Sequence, residues 1–332
     1  MKKKCIFVLV VKLFFGNRSF SLLILPLLLA GYYLCNFYMD FHSSHATSNF
    51  GMWGTLTTPN HWSFHAASVL LVFISSLLLN TIFNRNEFME RSSHLTPILF
   101  ITFSSFFHFF YFLEGLSFAQ LFLVLTIYQL FKLNQNEDGR RAVFSAGFFF
   151  GIACTFYPVL FITLPFLFWM VWLMRPFIFR ESALLVAGFI IPLIYSGAYS
   201  FVFKTTLDKV QFSSSSPGHN ALNILVCCSG ILLLIAFSLK GLFGKISVSS
   251  IRMKKHFRLI FLFIIMCVLA ILFDFLAFHK VEAGGLIIIS LGLILPYGFG
   301  QKTQKPIPTF IYYLVFFFSV SKFFIPYEAI TF

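Results

Sequence analysis

The segment RRAVFSAGFFFGIACTFYPVLFITLPFLFWMVWLMRPFIFRESALLVAGFIIPLIYSG, residues 140–197, decides the fold class of this chain. Three long apolar runs begin within it, near 141–157, 159–177 and 182–203. Each approaches the roughly 20 residues that a helix needs to cross a bilayer. The arginines stand near the borders of the runs, where lipid headgroups would lie. The segment therefore predicts successive membrane-spanning helices.

Small residues and prolines punctuate this segment. Gly147 and Gly151 form a GxxxG pattern, which lets helices pack closely in lipid. Pro158 and Pro165 are expected to break or kink the helices, and Tyr157 marks the turn between the first two. The pair of runs around Pro158 is either two spans or one broken helix.

The whole chain follows the same composition. It has 332 residues, of which 59% are hydrophobic and 11% are charged, with a mean hydropathy of +0.89. Soluble domains carry roughly 25% charged residues, so this composition indicates a chain that lies in lipid.

The apolar runs are continuous rather than alternating, which favours helices over β-barrel strands. Candidate spans lie near 19–38, 62–83, 95–113, 116–132, 141–157, 159–177, 182–203, 220–239, 257–277, 281–298 and 308–325. We predict an all-α, polytopic transmembrane helical bundle of 10–11 spans, forming one integral membrane domain over residues 1–332.

Lys and Arg set the orientation of these spans. With the N-terminus in the cytoplasm, 20 of the 24 basic residues fall on the cytoplasmic side. This arrangement makes 39–61 and 204–219 the larger outer loops and 240–256 a basic inner loop. The net charge of +13 is then a topology signal and a match to anionic lipids, and no nucleic-acid partner is predicted.

The N-terminal stretch MKKKCIFVLVVKLFFGNRSF imitates a signal peptide. Lys12 interrupts its apolar run, and no small-residue cleavage site follows before the next run. We expect residues 1–18 to be retained as an interfacial segment. We predict no cofactor, and we assign no residue as a metal ligand.

Four of the nine histidines crowd the first outer loop and the start of the second span: His42, His45, His61 and His65. His61 and His65 share a face if that part is helical. Their surroundings favour an interfacial belt with Trp and Tyr. Metal binding by the four histidines stays open, as does a direct substrate contact by His61 and His65. No HExxH motif of zinc hydrolases is present.

Two further polar features have mainly structural interpretations. The inner segment NTIFNRNEFMERSSH, residues 80–94, is predicted to be a solvated turn with a Glu87–Arg91 helix pair. A docking surface or a lipid-headgroup contact is the alternative. Asp274 lies inside a span about one turn from the outer end, and it is expected to pair with Lys280 or His279 or to reach the interface.

Several motifs together resemble a known sequence pattern. They are the inner Arg-Arg pair, TFYP, RPFIFRE and the Gly-Pro helix of 140–197, together with NTIFNRNEF and YQLFKL upstream. With these motifs the chain resembles, over Phe14–Ile194, an uncharacterised polytopic family of Bacteroidota inner-membrane proteins. That resemblance implies a multi-pass protein of the bacterial inner membrane and no particular activity.

The middle segment is also similar, more distantly, to multi-span polyprenyl-phosphate-dependent glycosyltransferases. Those enzymes keep a catalytic acid just after the first span, and Asp40 occupies such a place. The resemblance implies that Asp40 acts as the base toward an acceptor hydroxyl or holds a metal on a polyprenyl-phosphate-linked substrate. Outer Lys204 or Lys209 is expected to bind the phosphate, and Glu114 is added as a second candidate acid that the resemblance does not itself imply. The first outer loop is short and holds no second acid beside Asp40, which departs from that pattern.

Three functions fit this architecture. The first is a scaffold or accessory component of an envelope process, with membrane lipids and envelope proteins as partners. The second is a lipid-linked glycosyltransferase-like enzyme acting at the outer face. The third is a transporter or flippase, which would need ionisable residues and broken helices near the middle of the membrane.

Overall fold

The computed structural model describes residues 19–39, 47–57, 62–89, 92–133, 139–175, 178–203, 221–278, 283–300 and 306–324. These residues are almost entirely helical, so the predicted all-α fold is confirmed. Within the described residues, the exception is an antiparallel hairpin of two three-residue strands, β1 (Thr47–Asn49) and β2 (Thr55–Thr57), which lies in the predicted loop 39–61.

Each predicted apolar run coincides with helical structure. The helices are α1 (Ser19–Met39), α2 (Trp62–Arg85), α3 (Leu95–Ser104), α4 (Gly115–Lys132), α5 (Arg140–Phe156), α6 (Leu164–Met174), α7 (Phe179–Val202), α8 (Ala221–Val248), α9 (Ile251–Phe278), α10 (Gly284–Ile294), α11 (Pro296–Gly300) and α12 (Pro306–Ser321). Short 3₁₀ helices span Gly51–Trp53, His108–Phe110 and Pro158–Thr163. Among the described helices, α2, α4, α7 and α9 are long and apolar enough to cross a membrane.

The chain reverses direction at Pro158. Helix α5 ends at Phe156, and Pro158 opens the 3₁₀ helix that leads into α6. A Cβ added to Gly139, just before α5, would lie 2.5 Å from the guanidinium of Arg175, just after α6. The start of α5 and the end of α6 are therefore neighbours, and the two runs are separate antiparallel segments rather than one broken helix.

Two predicted boundaries are corrected. The run 95–113 forms a helix of ten residues that ends at Ser104, because the chain turns there before the next helix begins. The predicted inner loop 240–256 is helical apart from Ser249 and Ser250. Lysine and arginine are good helix formers, so helices α8 and α9 continue beyond their apolar parts.

Helices α5 and α7 run parallel and approach each other at glycines. A Cβ on Gly147 would lie 2.4 Å from Leu185 O, and one on Gly188 would lie 2.4 Å from Phe144 O. Real Cβ atoms do not come this close to a carbonyl oxygen, so glycine is required on both helices. The GxxxG pattern thus packs α5 directly against the backbone of α7.

Two short antiparallel helices, α3 and α10, lie in the core. All ten residues of α3 are buried, and Ile287 is the one residue of α10 that is not fully buried. A Cβ on Gly285 would meet the ring of Phe109 at 2.1 Å, and one on Gly292 would meet Leu79 at 2.8 Å. Neither helix carries an ionisable residue.

Basic residues gather at one end of the described bundle. Of the described lysines and arginines, all but Lys322 lie at this basic end: Arg85, Lys132, Arg140, Arg141, Arg175, Arg180, Lys240, Lys245, Arg252, Lys254, Lys255 and Arg258. Contacts join the helix ends that carry them, since Arg85 bonds Tyr128 of α4, and Lys255 of α9 donates to Met174 O of α6 at 3.3 Å. Lys322 lies at the opposite end, beside Ser105.

Candidate functional site

The backbone between Ser105 and Glu114, called here the 105–114 turn, joins α3 to α4 at the end opposite the basic end. Its buried carbonyl groups lie outside regular helix and must be bonded by other groups. Side chains supply those bonds to the carbonyl oxygens of Ser105, Phe109, Phe110, Tyr111 and Phe112. Hydrogen bonds at this turn thus connect several helices to one another.

The donors to the middle of the turn come from three helices. Ser68 Oγ of α2 donates to Phe110 O at 3.0 Å, and the Tyr33 hydroxyl of α1 donates to the same oxygen. Ser117 Oγ of α4 donates to Phe109 O at 2.9 Å. The rings of Tyr33 and Phe110 also stack, with centroids 5.5 Å apart.

Two histidines flank one phenylalanine of the turn. His65 Nδ1 lies 3.1 Å from Tyr111 O, and because a carbonyl only accepts, His65 carries its proton on Nδ1. The ring of Phe112 contacts His65 at a centroid distance of 5.3 Å and stacks on His108 at 4.5 Å. His65, which the sequence indicated as a substrate or belt residue, is here part of the turn's support.

His108 and Glu114 form an ion-pair geometry within the turn. His108 Nδ1 lies 2.7 Å from Glu114 Oε1, so the ring donates and the carboxylate accepts. The side chain of His108 is 4% exposed and that of Glu114 is 19% exposed. A carboxylate that is positioned by a buried imidazole and still reaches solvent can take part in proton transfer.

Lys322 buries its ammonium group at the same end. Its Nζ donates to Ser105 O and, at 3.2 Å, to the Tyr111 hydroxyl. The ring centroids of Phe106, Tyr111 and Phe323 lie 5.0–5.2 Å from Nζ. These cation–π contacts and hydrogen bonds stabilise the charge and attach the residues after α12 to the turn.

The β1–β2 hairpin packs beside this turn, on the ends of α4 and α5. Gly51 has φ +64, and a Cβ there would lie 2.5 Å from Phe156 O. A Cβ on Gly115 would lie 2.5 Å from the same oxygen and 3.0 Å from Asn49 O. Trp53 Nε1 donates to Thr155 Oγ1 at 3.2 Å, which fixes the hairpin over the end of α5.

Most of the predicted site residues fall outside the part of the chain that the structure describes: Asp40, His42, His45, His61, Lys204 and Lys209. Their roles stay predictions. The other two predicted site residues, Glu114 and His65, are described, and both lie in or against the 105–114 turn. Within the described ranges, no three His, Cys, Asp or Glu side chains come together as metal ligands would.

Asp274 is buried and takes part in a local contact. Its Oδ2 accepts a hydrogen bond at 3.3 Å from the backbone N–H of Ala283, at the start of α10. The predicted partners Lys280 and His279 lie outside the described residues. Within the described chain, Asp274 therefore helps to join α9 to the beginning of α10.

The segment 80–94 at the basic end differs from its prediction. Glu87 is exposed, but Asn80, Ser93 and His94 are buried, so much of this segment is an internal polar ladder instead of a solvated turn. Asn84 Oδ1 accepts from Ser93 N at 3.1 Å, which orients the Asn84 amide. Arg91, the predicted partner of Glu87, lies outside the described residues.

The ladder also fixes the tautomer of His94. Asn84 Nδ2 donates to Asn80 Oδ1 at 3.2 Å, so Asn80 presents Nδ2 to His94 Nδ1 at 3.0 Å. His94 Nδ1 accepts this bond, and the neutral ring therefore carries its proton on Nε2. Burial lowers the pKa of His94, because the charged ring would lose its hydration.

Sequence reasoning missed His108, Lys322 and the Asn80–Asn84–His94 ladder as interacting groups. Asn80 and Asn84 stand four residues apart, a spacing that places both on one helix face and offered a usable signal. No comparable signal marks Lys322, whose partner Ser105 is 217 positions away.

Comparison with known sequences places the chain in a family without assigning an activity. No curated protein and no solved structure matches it. A family of unknown function (DUF6427) matches residues 45–274, which include most of the segment that carried the predicted resemblance. Membership of an uncharacterised family is thereby confirmed, and the chain belongs to the family of unknown function DUF6427.

Proposed function

We propose that the chain is a multi-pass protein of the bacterial inner membrane that acts as a scaffold or accessory component of an envelope process. The observation that carries the proposal is the use of polar side chains at the 105–114 turn. Ser68, Tyr33 and Ser117 bond backbone carbonyls there, so their hydrogen bonds maintain the fold. A site organised for substrates would instead direct such groups toward a ligand.

The distribution of charge supports the membrane part of this proposal. Four helices have the length and apolarity to cross a bilayer, and the described basic residues concentrate at one end of the bundle. Lys and Arg accumulate on the cytoplasmic side of inner-membrane proteins. The basic end is accordingly the cytoplasmic end in this proposal, and the 105–114 turn faces outward.

Exposed apolar faces fit contacts with lipid and with envelope partners. Phe201 of α7 and Phe317 of α12 are 86% and 74% exposed, far more than a water-soluble fold tolerates for several such residues together. Leu276 of α9 is 71% exposed. In a bilayer these faces need no protein cover, and any of them is available to a membrane partner.

The core argues against the transporter alternative. The short helices α3 and α10 resemble the interrupted helices of transporters, but they pack against each other and lack ionisable residues. Ion and substrate paths in membranes are lined by polar or ionisable groups. Helices α3 and α10 therefore favour a structural role over a transport path.

A lipid-linked transferase acting at the outer face is the second candidate, favoured by the His108–Glu114 pair. Glu114 is oriented by His108 and partly exposed at the proposed outer end. In this alternative Asp40 and Glu114 act on a polyprenyl-phosphate-linked substrate, with Lys204 or Lys209 at its phosphate and His61 or His65 at its other groups.

Complementation separates the two candidates. A strain that lacks this protein receives the wild type, Glu114→Gln or Asp40→Asn, and its envelope integrity is measured by detergent sensitivity. Glu114→Gln keeps an oxygen that accepts the hydrogen bond from His108 Nδ1. If the protein is a scaffold, this variant is therefore expected to complement fully. Glu114→Leu, which removes the acceptor, is the control for a folding defect.

The opposite result would favour the transferase. If Glu114→Gln or Asp40→Asn accumulates normally in the membrane but fails to restore integrity, the carboxylates have a chemical role and the scaffold proposal is wrong.

A further inference from the structure

We propose that Arg85, Tyr128 and Lys132 form a binding site for the headgroup of an anionic phospholipid. This inference rests on the proposed function in one respect, namely that α2 and α4 cross the membrane. It adds a specific ligand class and location to the general expectation of lipid contact. The three residues are called the basic–tyrosine cluster below.

The cluster is built where two membrane-length helices end. Arg85 is the last residue of α2, and Lys132 is the last residue of α4. Tyr128 precedes Lys132 by one helical turn, so both lie on the same face of α4. The ends of such helices lie at the depth of lipid headgroups.

Two cations converge on the single ring of Tyr128. Arg85 Nη1 donates to the Tyr128 hydroxyl at 2.9 Å, and the guanidinium carbon lies 5.9 Å from the ring centroid. Lys132 Nζ lies 4.2 Å from the same centroid. The contact joins segments 43 residues apart, so helix geometry alone does not bring these charges together.

The charge of the cluster is positive and calls for an anion. Within the residues that the structure describes, neither Arg85 nor Lys132 forms an ion pair with a carboxylate. Two like charges held on one ring repel each other, and an anion bound between them adds two attractive interactions that outweigh this repulsion. A phosphodiester fits this role because its oxygens accept from a guanidinium and an ammonium together.

The surroundings favour a lipid over a soluble phosphate. Arg85 is exposed, and Tyr128 and Lys132 are half-buried, so the cations are accessible from the periphery of the bundle. On the helix face that leads from Arg85 into the membrane, Ile74 and Leu70 are 37% and 56% exposed. An acyl chain can lie along these side chains while its headgroup stays at the cluster.

The alternative is that each cation has only a local structural role. Cations at helix C-termini interact favourably with the helix dipole, and long side chains reach the interface without binding a particular lipid. That alternative predicts equal association of anionic and neutral lipids, and it predicts that any pair of basic-end cations can be replaced with the same result.

Native mass spectrometry of the full-length protein tests the site. Detergent-purified protein is titrated with phosphatidylglycerol, and with phosphatidylcholine as the neutral lipid. The variant Arg85→Gln/Lys132→Gln is compared with Arg180→Gln/Lys254→Gln, which removes the same charge elsewhere at the basic end. We expect the first variant to bind phosphatidylglycerol about 30-fold more weakly and the second to resemble the wild type.

Tyr128→Phe sharpens the test, because it keeps the ring under Lys132 and removes the hydroxyl that positions Arg85. We expect it to weaken phosphatidylglycerol binding by less than the double variant does, with an unchanged unfolding midpoint.

Three results would overturn the inference. They are equal binding of the two lipids, equal losses in the two double variants, and displacement of phosphatidylglycerol by millimolar inorganic phosphate, which would indicate a soluble ligand. Alkaline carbonate extraction reports separately on membrane insertion. Loss of lipid binding in a protein that resists extraction thus contradicts the lipid site alone, whereas easy extraction contradicts the proposed function.

Discussion

Helices α5 and α7 and the region around α3 show two different ways of joining helices in a chain with few charges. The first pair meets through glycines, where Gly147 and Gly188 allow backbone to touch backbone. Around α3, side chains from α1, α2 and α4 reach into the 105–114 turn and bond its carbonyls. Glycine contacts tolerate no added atom, whereas a carbonyl with two donors tolerates the loss of one.

The comparison predicts its largest effect at Gly188. In Gly188→Ala the new Cβ would lie 2.4 Å from Phe144 O and 3.1 Å from Phe148 N, so α5 and α7 must separate. We expect a loss of about 3 kcal/mol in the free energy of unfolding, measured by denaturant titration in detergent micelles.

Gly197→Ala is the matched control, because a Cβ on this glycine of the same helix meets nothing within 4 Å. Alanine favours helix over glycine, so this variant is expected to be neutral or slightly more stable. If both variants lose the same stability, the glycine interface does not hold α5 to α7.

A smaller effect is expected where hydrogen bonds do the joining. Phe110 O accepts from Ser68 and from Tyr33, and Ser68→Ala/Tyr33→Phe removes both donors. A buried carbonyl without a donor costs about 2 kcal/mol, whereas each single variant keeps one donor and is expected to lose less than half of this. The same denaturant titration measures all three variants.

Ser76→Ala is the control for deleting a buried hydroxyl from α2. Ser76 Oγ donates at 2.7 Å to Phe73 O of its own helix, so its loss leaves contacts between helices unchanged. We expect a change within about 0.5 kcal/mol. A loss as large as that of the double variant would show that the 105–114 turn has no special need of its donors.

The two regions also differ in how far sequence alone predicts them. The GxxxG pattern at Gly147 and Gly151 is local, and its consequence for α5 follows from helix geometry, although its partner α7 does not. The apolar runs likewise predicted where helices lie. In sequence, the 105–114 turn cannot be distinguished from the apolar run 95–113 that precedes it. Its stability comes from donors such as Ser68 and Lys322, which are 42 and 217 positions from their acceptors. Distant pairings of single polar residues leave no periodic pattern to detect.

The smallest expected effect concerns pH at the other end of α3. Burial lowers the pKa of His94, so the ring takes up its proton at a lower pH in the folded protein than in the unfolded chain. Protonation would also place a proton on Nδ1, against the Asn80 amide group that donates to it. Stability is therefore expected to fall as the pH drops through the unfolded pKa, and the loss attributable to His94 between pH 7.5 and 5.5 is at most about 1.4 kcal/mol.

His94→Asn isolates this contribution, because an asparagine oxygen can accept from Asn80 and does not titrate. The unfolding free energies of wild type and variant are measured at both pH values, and the wild type is expected to lose more on acidification. Parallel losses would show that the ladder does not couple to protonation of His94.

The comparison between the two regions depends on the order of these losses. If Gly188→Ala loses more stability than the variants of the 105–114 turn and of His94, the two ways of joining helices differ in tolerance. An added atom at a backbone contact has no alternative arrangement, whereas a hydrogen-bonded turn has several donors.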